Sequence, residues 1–147
     1  MGNIDILLVE DNPHDAEMIL ETLSQQDISD RVQAISDGAA ALDYLFGPKG
    51  CLAKAAVHLP KLILLELKLP KVSGLEILKR IKSDERTRHI PVVVFTSSDE
   101  LRDKTESYMR GANSYIVKPV QAAAFSRFVA ELGAYWVSMN MTPYADA

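Results

Sequence analysis

Polar side chains that could do chemistry follow four of the apolar segments of this chain. Glu10 and Asp11 follow the first segment, and Glu66, Thr96 and Lys118 each follow a later one. Clustered carboxylates repel one another unless a cation joins them, and Mg²⁺ prefers such oxygen ligands. Lysine supplies a point charge and threonine a hydrogen-bond donor for phosphoryl oxygens. If these side chains meet, they suit the passage of a phosphoryl group to a carboxylate.

The elements that must position these residues alternate between strands and helices. Short apolar runs predict strands at 4–9, 31–36, 62–66, 92–95 and 114–117. Periodic apolar positions and capping residues predict helices after Pro13, Asp37 and Ser73, over 99–109, and over 121 to about 140. Five such units indicate a doubly wound parallel sheet with helices on both faces. A flavodoxin-like strand order, 2-1-3-4-5, brings the four polar strand ends to one rim.

Composition limits the class of protein. The 147 residues suit one domain, predicted over 1–140, with a loose tail at 141–147. The net charge of −4 argues against a nucleic-acid partner. The single cysteine excludes an internal disulfide. No apolar stretch approaches the roughly 20 residues that cross a bilayer, so no membrane contact is expected. Because the sequence also shows neither a disulfide framework nor the pattern of a signal peptide, the predicted location is cytoplasmic.

The ordered set of residues resembles the receiver domain of two-component response regulators. The resemblance covers nearly the whole chain and rests on Glu10-Asp11, the strand ending at Glu66, Pro70, Gly74, Thr96, Tyr115 and Lys118-Pro119. In that family the phosphoryl acceptor is an aspartate, whereas Glu66 stands at this position here. The resemblance implies the flavodoxin-like fold and a role in phosphorelay signalling.

The resemblance also implies a metal site. It gives Asp11 as the direct Mg²⁺ ligand and Glu10 as a ligand through water. Glu66 and the backbone carbonyl of Lys68 match the remaining protein ligands. Mg²⁺ is therefore the cofactor that the resemblance implies.

Further roles follow from the same resemblance. Lys118 matches the phosphate-binding lysine, Thr96 the hydroxyl that shifts toward the phosphoryl group, and Tyr115 the aromatic side chain that turns inward behind it. These switch residues would move the face formed by the fourth helix, fifth strand and fifth helix. That face would contact partners: a sensor histidine kinase upstream and a target protein downstream.

A finer resemblance is to the single-domain regulators that are paired with bacterial phytochromes. It rests on the long loop after Phe46, on 37–45 and on Tyr135-Trp136 in a long last helix. Tyr135 and Trp136 could pack the last helix or, together with the fourth-helix face, form the contact of a homodimer.

Glutamate at position 66 leaves several functions open. The chain could be a receiver that is phosphorylated poorly, or one in which Glu66 imitates the phosphorylated acceptor. It could also be a receiver-like interaction module that works without phosphorylation. An enzyme such as a Mg²⁺-dependent phosphohydrolase is less favoured, because Lys68 stands where those enzymes usually carry a second acid. We therefore expect a signalling protein and not an enzyme.

Overall fold

The sheet is the centre of this computed structural model, which describes residues 4–28, 31–54 and 57–143. Five strands lie parallel in the order β2-β1-β3-β4-β5. They are β1 Ile6–Val9, β2 Val32–Ile35, β3 Leu62–Leu65, β4 Val92–Thr96 and β5 Ser114–Val117. The flavodoxin-like topology predicted from the sequence is confirmed.

A helix follows each strand, in the order that the sequence predicts. They are α1 Pro13–Ser24, α2 Gly38–Phe46, α3 Gly74–Ser83, α4 Leu101–Met109 and α5 Ala122–Gly133. The first three begin at side-chain caps, because Asn12, Asp37 and Ser73 each accept a hydrogen bond from a backbone N–H in the first turn. No helix within the described ranges is long and apolar enough to cross a membrane.

The hydrophobic core lies on both faces of the sheet, because successive strand residues point to opposite sides. Leu7 and Ile63 face the side covered by α2 and α3. Ile6 and Leu64 face the side covered by α1 and α5. In the part of the chain that the structure describes, neither core cluster includes a residue of α4. Helix α4 is therefore the least firmly packed of the five.

Several element boundaries differ from the prediction, and β3, β4 and the start of α5 differ by one residue each. Strand β1 begins at Ile6 instead of residue 4, and β2 is one residue shorter at each end. Helix α4 begins at Leu101 instead of 99, because the Ser98 hydroxyl binds Asp103 and the backbone N–H of Glu100 and so forms a turn before the helix. The long loop after α2 contains a short 3₁₀ helix, Cys51–Ala53.

The predicted last helix changes its winding near the end. After α5 the chain continues as a π-helix, Ala134–Met139, in which the N–H of Asn140 donates to the carbonyl of Tyr135 at 2.7 Å. The π form is rare and adds one residue to each hydrogen-bonded turn. Of the tail predicted at 141–147, residues 144–147 lie outside the described residues.

Lys82 joins three elements at the N-terminal ends of the strands, opposite the rim that carries the polar strand ends. Its Nζ lies 3.0 Å from the carbonyl oxygen of Arg88, 2.7 Å from that of Ile90 and 3.0 Å from Oδ1 of Asn113. One amine thus holds the end of α3 to the segments that precede β4 and β5. Burial lowers the pKa of Lys82 from 10.5 to about 8.

Replacing this lysine, Lys82→Met, is expected to lower the free energy of unfolding by about 1–3 kcal/mol, because three hydrogen bonds, one of them to the partly buried carbonyl of Ile90, are lost together. Since the folded-state pKa lies below 10.5, the unfolded chain binds more protons between pH 8 and 10.5. The unmodified chain therefore gains stability relative to the variant as the pH rises through this window. Urea unfolding at several pH values measures the difference in the free energy of unfolding between Lys82→Met and the unmodified chain.

The matched control for this experiment is Lys79→Met, which removes an exposed lysine from the same helix. Its stability difference from the unmodified chain should stay small and should not widen above pH 8. A gap for Lys82→Met that narrows as the pH rises from 8 to 10.5 would contradict the lowered pKa.

Candidate functional site

The parallel sheet brings the C-terminal ends of its strands to one rim. Val9 pairs with Leu65 in register, so Glu10 and Glu66 leave the sheet side by side. Thr96 pairs with Val117, so Lys118 follows at the same level. The structure thus brings together three residues that the sequence places at separate strand ends: Glu10, Glu66 and Lys118.

The ammonium group of Lys118 is the centre of the site. Its Nζ lies 2.6 Å from Oε1 of Glu10, 2.8 Å from Oε1 of Glu66 and 2.8 Å from Oδ2 of Asp15. An ammonium carries three N–H donors, and three carboxylates surround it here. The side chains of Lys118, Glu10 and Glu66 are 7%, 2% and 8% exposed, and that of Asp15 is 22% exposed.

The remaining oxygens of the two buried glutamates are held by the backbone. Oε2 of Glu10 accepts a hydrogen bond from the N–H of Asn12 at 3.1 Å. Oε2 of Glu66 accepts one from the N–H of Leu67 at 2.8 Å. In each of the two glutamates, therefore, Lys118 holds one carboxylate oxygen and a backbone N–H holds the other.

Burial and pairing act in opposite directions on the ionisation of this cluster. Burial raises the pKa of Glu10 above its ordinary value, although the hydrogen bond and charge of Lys118 oppose this. Burial alone would lower the pKa of Lys118, but its hydrogen bonds to Asp15, Glu10 and Glu66 outweigh burial and raise it. Lys118 therefore stays positively charged at neutral pH and balances part of the carboxylate charge.

Thr96 and Tyr115 lie beside the cluster and share a backbone partner. Thr96 is 1% exposed, and its Oγ1 accepts a hydrogen bond from the N–H of Ser98 at 3.4 Å. The Tyr115 hydroxyl donates to the carbonyl of Ser98 at 2.8 Å. Burial raises the pKa of Tyr115. The loop between β4 and α4 is thus tied to both predicted switch residues.

The predicted metal ligands do not form a metal site as they stand. Glu10 and Glu66 turn their oxygens to Lys118 and the backbone, while the side chain of Asp11 is exposed. Lys68 lies in the loop after β3. Within the described ranges there is no group of three His, Cys, Asp or Glu side chains arranged to hold a metal ion. The Mg²⁺ site therefore stays a prediction, and these residues do not fit the ion in this arrangement.

Asp15 is the site residue that sequence reasoning missed. It lies in the first turn of α1, where an acidic residue is also favoured by the helix dipole. Its position five residues after Glu10 is the available signal, because a helix that starts directly at a strand end places its first turn over the rim. Asp15 and Lys118 both border an open cavity of about 240 Å³ next to the cluster.

Comparisons with known proteins agree with this geometry. The response regulator receiver domain model matches residues 6–130. The probable methanogenesis regulatory protein FilR2 of Methanothrix harundinacea is 41% identical over 138 residues, which are 94% of this chain and 86% of the relative.

Two solved structures of phytochrome-linked regulators are also similar. The structure of the phosphorylated cyanobacterial phytochrome response regulator RcpA has a TM-score of 0.86 and 36% identity, and the match covers 97% of this chain and 100% of RcpA. Response regulator Rcp1 of Synechocystis sp. is 34% identical over 95% of this chain and 93% of its own, and its Mn²⁺-bound structure has a TM-score of 0.84. With the matched domain, the strand order and the shared rim in agreement, this chain belongs to the response regulator receiver domain family and is similar to the single-domain cyanobacterial phytochrome regulators.

Proposed function

We propose that this receiver takes its signal from a sensor histidine kinase and passes it on by protein contact, with Glu66 in the acceptor position limiting phosphotransfer. The observation that carries the proposal is the 2.8 Å contact between Glu66 Oε1 and Lys118 Nζ. The lysine that the family uses for phosphoryl oxygens is here already paired with the side chain at the acceptor position. A cytoplasmic location is part of the same proposal.

The geometry of Glu66 argues against rapid transfer. Glutamate is longer than aspartate by one methylene, about 1.5 Å. A misplacement of about 1 Å can cost on the order of 10²-fold in rate. In addition, one oxygen of Glu66 contacts Lys118 and the other accepts from the N–H of Leu67. A carboxylate held at both oxygens cannot move toward an incoming phosphoryl group without weakening one of these contacts.

The same contacts support partial imitation of the phosphorylated state. The carboxylate of Glu66 meets Lys118, as a phosphoryl oxygen would. Tyr115 is hydrogen-bonded to the Ser98 carbonyl in the loop after Thr96, which agrees with the inward position expected of a signalling state. The imitation is incomplete, because a carboxylate carries less charge and fewer acceptor oxygens than a phosphoryl group.

The test is intact-mass measurement after incubation with acetyl phosphate and Mg²⁺. We expect Glu66→Asp to gain one phosphoryl mass, and the unmodified chain to gain it on the order of 10²-fold more slowly or not at all, because its carboxylate is displaced. Glu66→Gln is the matched control, since it keeps the length of the side chain and removes the nucleophile. A Glu66→Asp variant that gains no phosphoryl mass would contradict the proposal.

A second candidate is an interaction module that signals without phosphorylation. Its support is the apolar surface at the end of the chain. A cavity of about 250 Å³ is lined by Ile116, Phe128, Leu132, Tyr135 and Trp136, among others. Leu101 and Met109 of α4 are 77% and 81% exposed. A homodimer or a target protein that covers this face would fit either candidate. In the phosphoryl-mass experiment, a slow but measurable gain by the unmodified chain would favour the receiver that accepts a phosphoryl group over the phosphorylation-independent module.

A further inference from the structure

We propose that Asp15 is a positioning residue that tethers Lys118, and that release of this tether frees the ammonium to reach an incoming phosphoryl group. The proposal rests on the proposed function, because it assigns a role to Asp15 in the same site. It concerns a residue of α1, not one of the strand ends from which the site was predicted.

The first step of the argument is saturation of the lysine. The three N–H donors of Lys118 are surrounded by oxygens of Glu10, Asp15 and Glu66, all within 2.8 Å. A phosphoryl oxygen can therefore gain a donor from Lys118 only if one carboxylate gives its donor up. Access of an anion to the site depends on which carboxylate leaves first.

The second step is that, of the three carboxylates, Asp15 can separate from Lys118 at the smallest cost in free energy. Its side chain is 22% exposed, against 2% for Glu10 and 8% for Glu66, so water can solvate it after release. Both glutamates are fixed by a second hydrogen bond to the backbone. The start of α1 does not depend on the carboxylate of Asp15, because the N-cap bond uses its backbone N–H and the side chain of Asn12.

The third step is that an open cavity gives the released side chain of Asp15 a place to move into. Asp15 and Lys118 border the same open cavity of about 240 Å³. When Asp15 turns into this cavity, the Lys118 ammonium loses its most exposed partner and keeps its two buried ones. Asp15 thus controls how readily Lys118 exchanges a partner, without contacting the transferred group.

The first arm of the test measures phosphorylation by acetyl phosphate in the Glu66→Asp background. Adding Asp15→Asn is expected to raise the rate roughly two- to fivefold, the effect of a partly exposed ion pair. Asp15→Glu should restore the slower rate, since its carboxylate can reach Lys118. Glu17→Gln, which removes a charge from the exposed side of the same helix, should leave the rate unchanged.

Salt separates a direct tether from general repulsion in this arm. Repulsion between Asp15 and an anion at a distance is screened at high salt, where the Debye length falls to about 3 Å at 1 M. The rate increase caused by Asp15→Asn should persist there, because it results from a direct contact. A rate that is unchanged or lower in Asp15→Asn overturns the proposal.

The second arm needs no phosphorylation and uses the chain with Glu66 in place. Acetylation of lysines by an amine-reactive reagent is followed by peptide mass, and Lys118 is expected to react roughly two- to fivefold faster in Asp15→Asn. Reaction at Lys104 serves as the internal reference. Unchanged reactivity of Lys118 overturns the tether. Faster reactivity combined with no phosphorylation of Glu66→Asp would uphold the tether and reject the proposed function.

Discussion

Lys118→Met is expected to lower the free energy of unfolding by about 3–5 kcal/mol, the cost of leaving buried charges without their partner. Glu10 and Glu66 are almost completely buried, and Lys118 is the cation in contact with both. Methionine fills a similar volume but supplies neither charge nor donors. Urea unfolding at pH 7, followed by circular dichroism, measures the loss.

The matched control is Lys104→Met, which breaks an ion pair with the exposed Asp99. Surface pairs of this kind contribute about 0–1 kcal/mol, so the control should lose little. Adding Glu66→Gln to Lys118→Met should recover part of the lost stability, because one uncompensated carboxylate is removed. A loss in Lys118→Met no larger than that in Lys104→Met would show that the cluster does not depend on Lys118.

The pH dependence of the same variant gives a second check. Burial raises the pKa of Glu10 even with Lys118 present, so Glu10 takes up a proton more readily in the folded chain than in the unfolded chain. Without the lysine this preference grows, and protonation relieves the buried charge as the pH falls. The stability gap between Lys118→Met and the unmodified chain should therefore narrow between pH 7 and pH 4.5.

Much of this site was predictable because, in a parallel sheet, the residues that directly follow each strand lie at the same end of the sheet. Buried strands read as continuous apolar runs, and the residue after each run lies on one rim. This reasoning placed Glu10, Glu66 and Lys118 together, and the structure confirms their meeting. The capping roles of Asp37 and Ser73 were predictable for a local reason, since both use hydrogen bonds within one turn.

The pairing inside the site was not predictable in the same way. The sequence shows which carboxylates share a rim, but not which oxygens the lysine takes. Asp15 comes from a helix, and the direction of its side chain depends on how α1 packs across the sheet. The π-helix at Ala134–Met139 is likewise invisible to a 3.6-residue pattern, because it differs from an α-helix in winding and not in residue type.

Gly74→Ala tests whether the acceptor position depends on close packing behind it. The N–H of Gly74 donates to the carbonyl of Leu67 at 2.8 Å. A methyl group at Gly74 would overlap the carbonyl oxygen of Glu66 and lie 2.7 Å from Cα of Leu67. The backbone there cannot shift freely, because the N–H of Glu66 is bonded to Val9 in the sheet. We expect a loss at or above the upper end of the ~1–3 kcal/mol typical of overpacking.

Gly133→Ala is the matched control for this substitution, because its methyl group would meet the side chains of Gln26 and Leu23 and not the backbone. Side chains yield at a smaller cost than a strand-end backbone, and alanine favours the helix by about 1 kcal/mol over glycine, so its loss of stability should be smaller than that of Gly74→Ala. In Gly74→Ala the amide signals of Glu66 and Leu67 should also shift in a ¹H–¹⁵N spectrum, since the added methyl displaces the carbonyl between them. If both variants unfold at the same urea concentration and these two amides stay in place, the close approach of α3 does not position the acceptor.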